Sequence, residues 1–251
     1  MKRKRILALV KIQYKSLIRV PGALFVILLL PIVLTLTFGL LFKSIIIEDT
    51  GQSVFEFLIP GLFAICGLFM AMPVSFSFSE DREQGLLKRI NTTPLTSTEF
   101  MGSHIISNMS MAFIQVAIIG ILTFLMGYRS DGAIAAMSLA FVFMAIFSLS
   151  TIGFGLITAT IAKSAKAAGG IVWIFMLPQQ MLASGLYPLP PGAEIISKFM
   201  PLHYASDGLM LLFNGVALSE LKIWWDLIIL ILFSIVLVSV GILLFKKYGK
   251  A

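Results

Sequence analysis

The chain has 251 residues, 59% of them hydrophobic and only 12% charged, and its mean hydropathy is +1.00. A soluble domain carries roughly twice that share of charge, so an ordinary soluble domain is excluded. The apolar residues fall in runs of about 20 or more, the length that crosses a bilayer as a helix, without the period-two alternation of a membrane barrel. We therefore predict an all-α polytopic membrane protein. The net charge of +7 does not indicate a nucleic-acid partner, because the basic residues lie at the ends of the apolar runs.

Residues 1–20 are predicted to form a basic amphipathic helix that lies in the membrane interface. Lys11 and Lys15 interrupt any apolar core, so this stretch is not a signal peptide. The alternative is a simple positive flank for the first span. On a helical wheel one side is basic and the other is apolar, formed by Ile6, Leu7, Val10, Tyr14, Leu17 and Ile18.

Six apolar runs are predicted to form transmembrane helices, at residues 23–42, 57–79, 101–128, 133–162, 167–186 and 224–245. An even number of spans places both termini on one side of the membrane. Fifteen of the nineteen Lys and Arg residues then lie on that side, so the positive-inside rule predicts that both termini are cytoplasmic. Pro31 lies in the middle of the first predicted span and predicts a local kink, and Pro73 lies inside the second.

The longest polar interruption lies at residues 80–98, EDREQGLLKRINTTPLTST, between the second and third predicted spans. Its apolar and charged residues alternate at helical spacing, which predicts a short amphipathic helix that a soluble partner could grip. Pro94 ends this helix, and Ser77 with Glu80 has the spacing of a capping box at its start. The alternative is an ordinary solvated loop. Ser75, Ser77 and Ser79 are spaced two apart and are not predicted to share one helix face.

Residues 187–222 are too long for a turn and too apolar for a free loop. Prolines divide them into pieces that are too short to cross a bilayer. We predict a pair of short re-entrant helices at the outer surface, with Tyr204 and Asp207 near the tip. Solvent exposure of Asp207 is the alternative at that position.

The sequence lacks the usual equipment of an enzyme or an ion-coupled carrier. It contains no nucleotide-binding G-x-x-x-x-G-K-[ST] pattern, so any ATP must act through a partner. The predicted spans are almost free of charged residues, which disfavours a secondary carrier. A cargo path is instead predicted along apolar and amide side chains, with ordinary helix packing as the alternative for each; the candidates are Phe175, Gln179 and Gln180. His104 and His203 are predicted to be structural.

Four segments resemble the ABC-2 type permeases, the membrane subunits of ATP-binding-cassette exporters, and most closely the daunorubicin-resistance branch. The first is FEFLIPG at residues 55–61, similar to the family's aromatic-x-x-Leu-x-Pro-Gly opening of the second span. The second is the stretch from Glu80 to Leu95. The third is SGLYP at residues 184–188, and the fourth is PLHYASD at residues 201–207. Their order and spacing fit the family over nearly the whole chain.

The resemblance implies that residues 80–98 form a coupling helix that docks on a separate ATPase subunit. The implied coupling residues are Arg82, Glu83, Gly85, Leu86, Lys88, Arg89, Thr93 and Pro94. It also implies an outer re-entrant segment that includes Gly185, Pro188, Pro201, Tyr204 and Asp207.

The family further implies a dimer of identical or similar six-span chains in the bilayer, export of a drug, lipid or other amphiphile, and no cofactor on this chain. ATP and Mg would be bound by the partner ATPase. The alternatives are a permease for a polysaccharide or lipid-linked glycan, a secondary carrier, or a membrane protein without transport activity.

Overall fold

The computed structural model of the chain describes residues 2–19, 21–48, 51–83, 85, 97–129, 132, 134–183 and 189–248. Within these ranges the chain forms ten α-helices, and its β pairing is one isolated bridge between Ile46 and Ser53. The all-α class is therefore confirmed. In chain order the helices are α1 (Lys2–Arg19), α2 (Pro21–Phe42), α3 (Val54–Leu68), α4 (Ala71–Glu83), α5 (Ser97–Leu125), α6 (Ile134–Ile161), α7 (Ala165–Met181), α8 (Pro191–Ser197), α9 (Pro201–Phe213) and α10 (Leu221–Tyr248).

Four segments of the described chain are long and apolar enough to cross a membrane: Val54–Glu83, Glu99–Leu125, Ile134–Ile161 and Leu221–Phe245. The first of them combines α3 and α4. The runs at 23–42 and 167–186 also form helices, α2 with 22 residues and α7 with 17. The count of six spans thus stays a prediction.

The second predicted span is broken in its middle, at Phe69 and Met70. The N–H of Met70 bonds the carbonyl of Gly67 instead of the carbonyl of Cys66 one turn below it. Pro73 follows in the first turn of α4, where its missing N–H costs least. The carbonyl of Cys66 is satisfied from another helix, because Gln115 Nε2 on α5 donates to it at 3.0 Å.

A genuine capping box opens α3, where the sequence analysis did not place one. Ser53 Oγ accepts from the N–H of Glu56 at 3.2 Å, and Glu56 Oε2 accepts from the N–H of Ser53 at 2.8 Å. The capping box expected at Ser77 and Glu80 is wrong, because both residues lie inside the continuous helix α4.

The main hydrophobic core lies where α9 packs against α3, α6 and α10. On α9, Leu202, Ala205, Leu209 and Leu212 are fully buried. One face of the short helix is therefore buried inside the protein. Close approach is allowed by Gly208, where an added Cβ would come 2.2 Å from the ring of Phe143.

Candidate functional site at the end of helix α4

Four polar residues on α4 share one helix face. Ser75, Ser79, Arg82 and Glu83 follow the spacing i, i+4, i+7 and i+8, which repeats along one side of an α-helix. We call these four residues the polar stripe. The sequence analysis separated Ser75 from Ser79, and this was wrong, because residues four apart lie one above the other.

The two serines of the polar stripe bind the buried sides of α6 and α7. Ser75 Oγ lies 2.8 Å from Thr158 Oγ1 on α6 and donates to the carbonyl of Ala168 on α7 at 3.3 Å. Ser79 Oγ donates to the carbonyl of Ala159 at 3.4 Å. Both serines are fully buried. They therefore join α4 to two other helices in a water-excluded interface.

Arg82 binds the C-terminal end of α6. Its Nη1 donates to the carbonyl of Thr160 at 3.1 Å, and its Nη2 donates to the carbonyl of Ala162. The last carbonyls of a helix have no partner within the helix, and they form the negative end of its dipole. A guanidinium at this position satisfies two of these carbonyls and complements their partial charge.

Glu83 binds the N-terminal end of α7. Its Oε1 accepts from the N–H of Ala165, the first residue of the helix, at 2.7 Å. Ser164 forms the N-cap beside it and accepts from the N–H of Ala167 at 3.1 Å. A carboxylate at the start of a helix is favourable because it faces unpaired N–H groups. Neighbouring residues of one helix thus hold both sides of the turn between α6 and α7.

The three helices are also in close backbone contact. A Cβ added at Gly155 of α6 would lie 2.8 Å from the carbonyl oxygen of Ala71 and 2.6 Å from Cβ of Val74, both on α4. A Cβ at Gly169 of α7 would lie 2.3 Å from the ring of Phe76. Small residues let α4 approach its neighbours closely, which is a common basis of helix packing in membranes.

The predicted coupling residues are only partly placed by the structure. Arg82 and Glu83 belong to the polar stripe. Gly85 forms a turn directly after α4, with φ of 69°, and its N–H bonds the carbonyl of Arg82 at 3.1 Å. The remaining coupling residues lie outside the described residues, so their role stays a prediction; they are Leu86, Lys88, Arg89, Thr93 and Pro94.

His104 and Asp81 anchor the start of α5 to α4. His104 Nε2 lies 3.0 Å from Asp81 Oδ2, and the imidazole is 1% exposed. Aromatic rings of Phe78 and Phe100 surround it at centroid distances of 5.2 and 4.6 Å. Across the described ranges, no group of three His, Cys, Asp or Glu residues could hold a metal ion. The predicted structural role of His104 agrees with this packing.

Helix α1 packs on the same end of the bundle. Gln13 Nε2 donates to Ser103 Oγ on α5 at 3.1 Å, and the hydroxyl of Tyr14 bonds Ser110 Oγ. Leu9 is buried, whereas Leu7 and Ile12 are exposed. The helix predicted at residues 1–20 therefore has one face on α5 and apolar side chains free on another, while its place in a membrane interface stays a prediction.

The predicted re-entrant residues lie at the opposite end of the bundle. Pro201 opens α9, and the hydroxyl of Tyr204 donates to the carbonyl of Lys198 at 2.8 Å. Asp207 accepts from Lys222 Nζ at 3.2 Å and lies 3.9 Å from His203. Asp207 thus pairs with a cation, in contrast to the predicted alternative of simple solvent exposure. Gly185 and Pro188 lie outside the described residues.

The surroundings of His203 favour the neutral form of its imidazole. Burial lowers the pKa of its imidazole, and the negative charge of Asp207 opposes this effect only in part. Ser197 Oγ lies 3.2 Å from Nδ1 of the ring. These contacts fit the predicted structural role, because the ring links α8 to α9.

The three predicted pathway residues lie on α7. Gln179 is buried, and its Nε2 donates to the carbonyl of Phe175 at 3.2 Å, while its Oε1 has no hydrogen-bond partner. Gln180 is half-buried. The ring of Phe175 packs on Phe154 at 5.5 Å. Of the three pathway residues, Gln179 has a buried amide oxygen without a hydrogen-bond partner, as expected of a residue that faces a cavity. The pathway itself stays a prediction.

One buried carboxylate was missed. Asp226 lies in the fourth spanning segment, Leu221–Phe245, is 5% exposed, and has an Oδ2 atom without a hydrogen-bond partner. The expectation that the spans are almost free of charge needs this correction. The signal was in the sequence, because residue 226 lies inside the run predicted to span at 224–245.

The chain is similar to known transport proteins over most of its length. The family model described as ABC-2 type transporter matches residues 4–214. A protein of Cyanophora paradoxa named as a transport permease, ycf38, is 27% identical over 99% of this chain and 90% of its own length. The daunorubicin resistance ABC transporter permease protein DrrB1 of Streptomyces coeruleorubidus is 22% identical over 88% of this chain and 77% of its own length.

A further relative is the Escherichia coli protein YbhR, which is named as a multidrug ABC transporter permease. It is 26% identical over 60% of this chain and 42% of its own length. The family match covers most of the residues that form the helices α1 to α9. The chain belongs to the ABC-2 type transporter family.

Proposed function

We propose that this chain is the membrane-spanning subunit of an ABC exporter that moves an amphiphilic small molecule, drug or lipid across the cytoplasmic membrane. Family membership carries this proposal. The relative DrrB1 is named for daunorubicin resistance and YbhR for multidrug transport, which supports an amphiphilic cargo. Energy comes from ATP hydrolysed with Mg on a separate ATPase subunit, because the sequence has no P-loop of its own.

Conformational changes of the ATPase are transmitted to this subunit at the end of α4. The coupling stretch, residues 80–98, docks on the ATPase, and its first residues form the last turn of α4. The polar stripe then connects α4 to α6 and α7 by hydrogen bonds. Both termini and this end of the bundle face the cytoplasm. Two such chains, identical or similar, assemble with two ATPase subunits, since symmetric closure would let the pair line a pathway.

A proton-coupled secondary carrier is a second candidate, and Asp226 is the observation that favours it. A buried carboxylate with an oxygen that has no hydrogen-bond partner is the kind of group that takes up and releases a proton in such carriers. The two functions differ in their energy source. Transport by an ABC exporter stops without ATP hydrolysis, whereas transport by a carrier stops when the proton gradient is removed.

The test is purification of the chain together with the ATPase encoded beside it, followed by reconstitution in liposomes. We expect the ATPase to remain bound and its rate of ATP hydrolysis to rise when candidate lipophilic drugs, lipids or lipid-linked glycans are added. An ATPase variant without its P-loop lysine is the control. Failure of any ATPase to bind, or transport that continues with this variant and follows the proton gradient, would contradict the proposal.

Leu86→Asp tests the docking of the coupling stretch in the same system. We expect it to abolish the stimulated hydrolysis while the chain stays in the membrane, because a charge would replace an apolar contact with the ATPase. Gly85 is a poorer position for this test. Its φ of 69° strains any side chain, so a loss of activity there could come from local misfolding.

A further inference from the structure

The turn between α6 and α7 is tied to the end of α4 by charged side chains. Arg82 binds the carbonyls of Thr160 and Ala162, and Glu83 binds the N–H of Ala165. All three partners are backbone groups at helix ends, so the contacts fix the position of the turn and not the rotamer of one side chain. The turn also presents Lys163 and Lys166, which are exposed.

We propose that Arg82 and Glu83 are positioning residues that transmit movement of the coupling stretch to α6 and α7, and that they do not themselves bind the ATPase. This proposal rests on the proposed function and corrects the roles that family resemblance implied for these two residues. The rest of the coupling stretch, from residue 84 to residue 98, follows directly after Glu83. A displacement of that stretch would therefore pull on α4, and through the two side chains on the ends of both neighbouring helices.

The geometry favours transmission over direct docking because the hydrogen-bonding groups are already engaged. Arg82 is half-buried and directs both terminal nitrogens of its guanidinium at α6 and the following turn. Glu83 is exposed, but its Oε1 is 2.7 Å from the N–H of Ala165, within the range of a strong charge-assisted bond. Docking on another protein through these donor and acceptor atoms would require both sets of bonds to break.

The break at Phe69 and Met70 gives α4 freedom to move. The regular backbone bonding between α3 and α4 is interrupted there, and Pro73 lacks the N–H that would restore it. The half of the span that carries the polar stripe can therefore tilt relative to α3. Arg82 and Glu83 make α6 and α7 follow this tilt at their ends.

The hydrogen bond between Glu83 and the N–H of Ala165 can be removed by a substitution at either residue. Glu83→Ala removes the acceptor, and Ala165→Pro removes the donor. Proline is well suited to residue 165, because this is the first position of α7 and because Ser164 before it is extended, with φ −148° and ψ 159°. Glu83→Gln keeps an oxygen that can accept the bond but removes the charge.

The readout is the movement of the turn, measured by pulsed electron paramagnetic resonance in the complex with the ATPase. Spin labels at Glu80 and Lys163 are each paired with a label at Glu220, at the opposite end of the bundle, in a Cys66→Ala background. The labelled chain is diluted with unlabelled chain so that each complex carries one pair. Distances are compared without nucleotide and with ATP and vanadate.

In the parent chain we expect both distances to shift with nucleotide. In Glu83→Ala and in Ala165→Pro we expect the shift at residue 80 to remain and most of the shift at residue 163 to be lost, with Glu83→Gln close to the parent. The double variant should lose no more than either single variant, since both cut one contact. Glu194→Gln, an exposed carboxylate at the opposite end, is the matched control and should leave both shifts unchanged.

Three other outcomes have separate meanings. If Ala165→Pro behaves as the parent while Glu83→Ala and Glu83→Gln both fail, Glu83 contacts the ATPase directly and the transmission role is overturned. If residue 163 still follows residue 80 in every variant, the turn moves without the bond between Glu83 and Ala165, and the transmission role of Glu83 is overturned. If neither distance shifts in the parent chain, the proposed coupling to ATP fails instead.

Discussion

Gln115 completes the hydrogen bonding of a helix that is broken inside the protein. The interruption at Phe69 frees the carbonyl of Cys66, and the amide of Gln115 donates to it at 3.0 Å. Gln115 is 2% exposed, so water does not compete for this carbonyl. A buried carbonyl without a partner is costly, and in a membrane no solvent can take the place of the lost donor.

Gln115→Leu is expected to lower the free energy of unfolding in detergent by about 1 kcal/mol, because it leaves the Cys66 carbonyl unpaired. The loss is moderate because the substitution also removes the Oε1 atom of Gln115, which itself has no partner. Gln180→Leu, at a half-buried amide, is the control and should have a smaller effect. Equal unfolding temperatures for Gln115→Leu and the parent chain would show that the break does not need this donor.

The roles of individual side chains were the least predictable part of the sequence. The charge pattern drew attention to Arg82 and Glu83, but not to what they bind, because their partners are backbone groups about 80 residues away in the chain. Asp226 was overlooked inside an apolar run. The capping box at Ser53 has a clear local signature, S-x-x-E before an apolar run, and could have been found.

At the scale of elements, the long helices follow from simple physics. In lipid, the backbone N–H and C=O groups of an apolar run must form hydrogen bonds within the protein. Each run achieves this by folding into a helix. The break between α3 and α4 was not predicted, because Pro73 was noted only as lying inside the second span, whereas the regular bonding already ends at Phe69. Tertiary contacts decide such positions, since the freed carbonyl needs a donor from another helix.

The contact between α4 and α6 depends on the small size of Gly155. An added methyl group would lie 2.8 Å from the backbone oxygen of Ala71, which cannot rotate away as a side chain can. Gly155→Ala is expected to separate the two helices and to lower the free energy of unfolding by about 1–3 kcal/mol, as overpacking does in well-packed interiors. The thermal unfolding temperature of the purified chain measures this change.

Gly170→Ala is the matched control for that experiment. No neighbouring atom lies within 4 Å of an added Cβ there, and alanine is the better helix former. We expect an unfolding temperature equal to or above that of the parent. If Gly155→Ala and Gly170→Ala behave alike, the close approach of α4 and α6 is not needed for stability.

At the scale of the whole molecule, apolar side chains cover much of the outer surface. Large exposed residues lie on α5, α6, α7 and α10, among them Ile121, Ile134, Ile174 and Leu243. Such a surface would aggregate in water, because monomeric soluble proteins rarely expose large contiguous apolar patches. It fits a membrane protein whose outer surface is in contact with lipid.

Cysteine labelling of residues 187–222 tests the orientation of the molecule in the bilayer. Single cysteines in a Cys66→Ala background would be treated with an impermeant thiol reagent applied from outside intact cells. Residues near Pro191 and Ser219 should react, because they lie beside the two short helices at the end of the bundle that the proposed orientation places outside the cell. Leu212 should be protected by protein, since it is fully buried in the core around α9. A cysteine at Lys163 should react only after the membrane is opened.

Phe199 is the decisive position in this series. Its side chain is 77% exposed on the isolated chain, so the chain itself cannot shield a cysteine placed there. We expect protection in intact membranes, because the bilayer or a second permease chain covers this surface, and rapid reaction after the protein is denatured. If Phe199→Cys reacts as fast as Ser219→Cys, the turn that follows α8 is exposed to water. Reaction of the whole segment only from the cytoplasmic side would overturn the proposed orientation, because α8 and α9 would then lie on the same side as the coupling stretch.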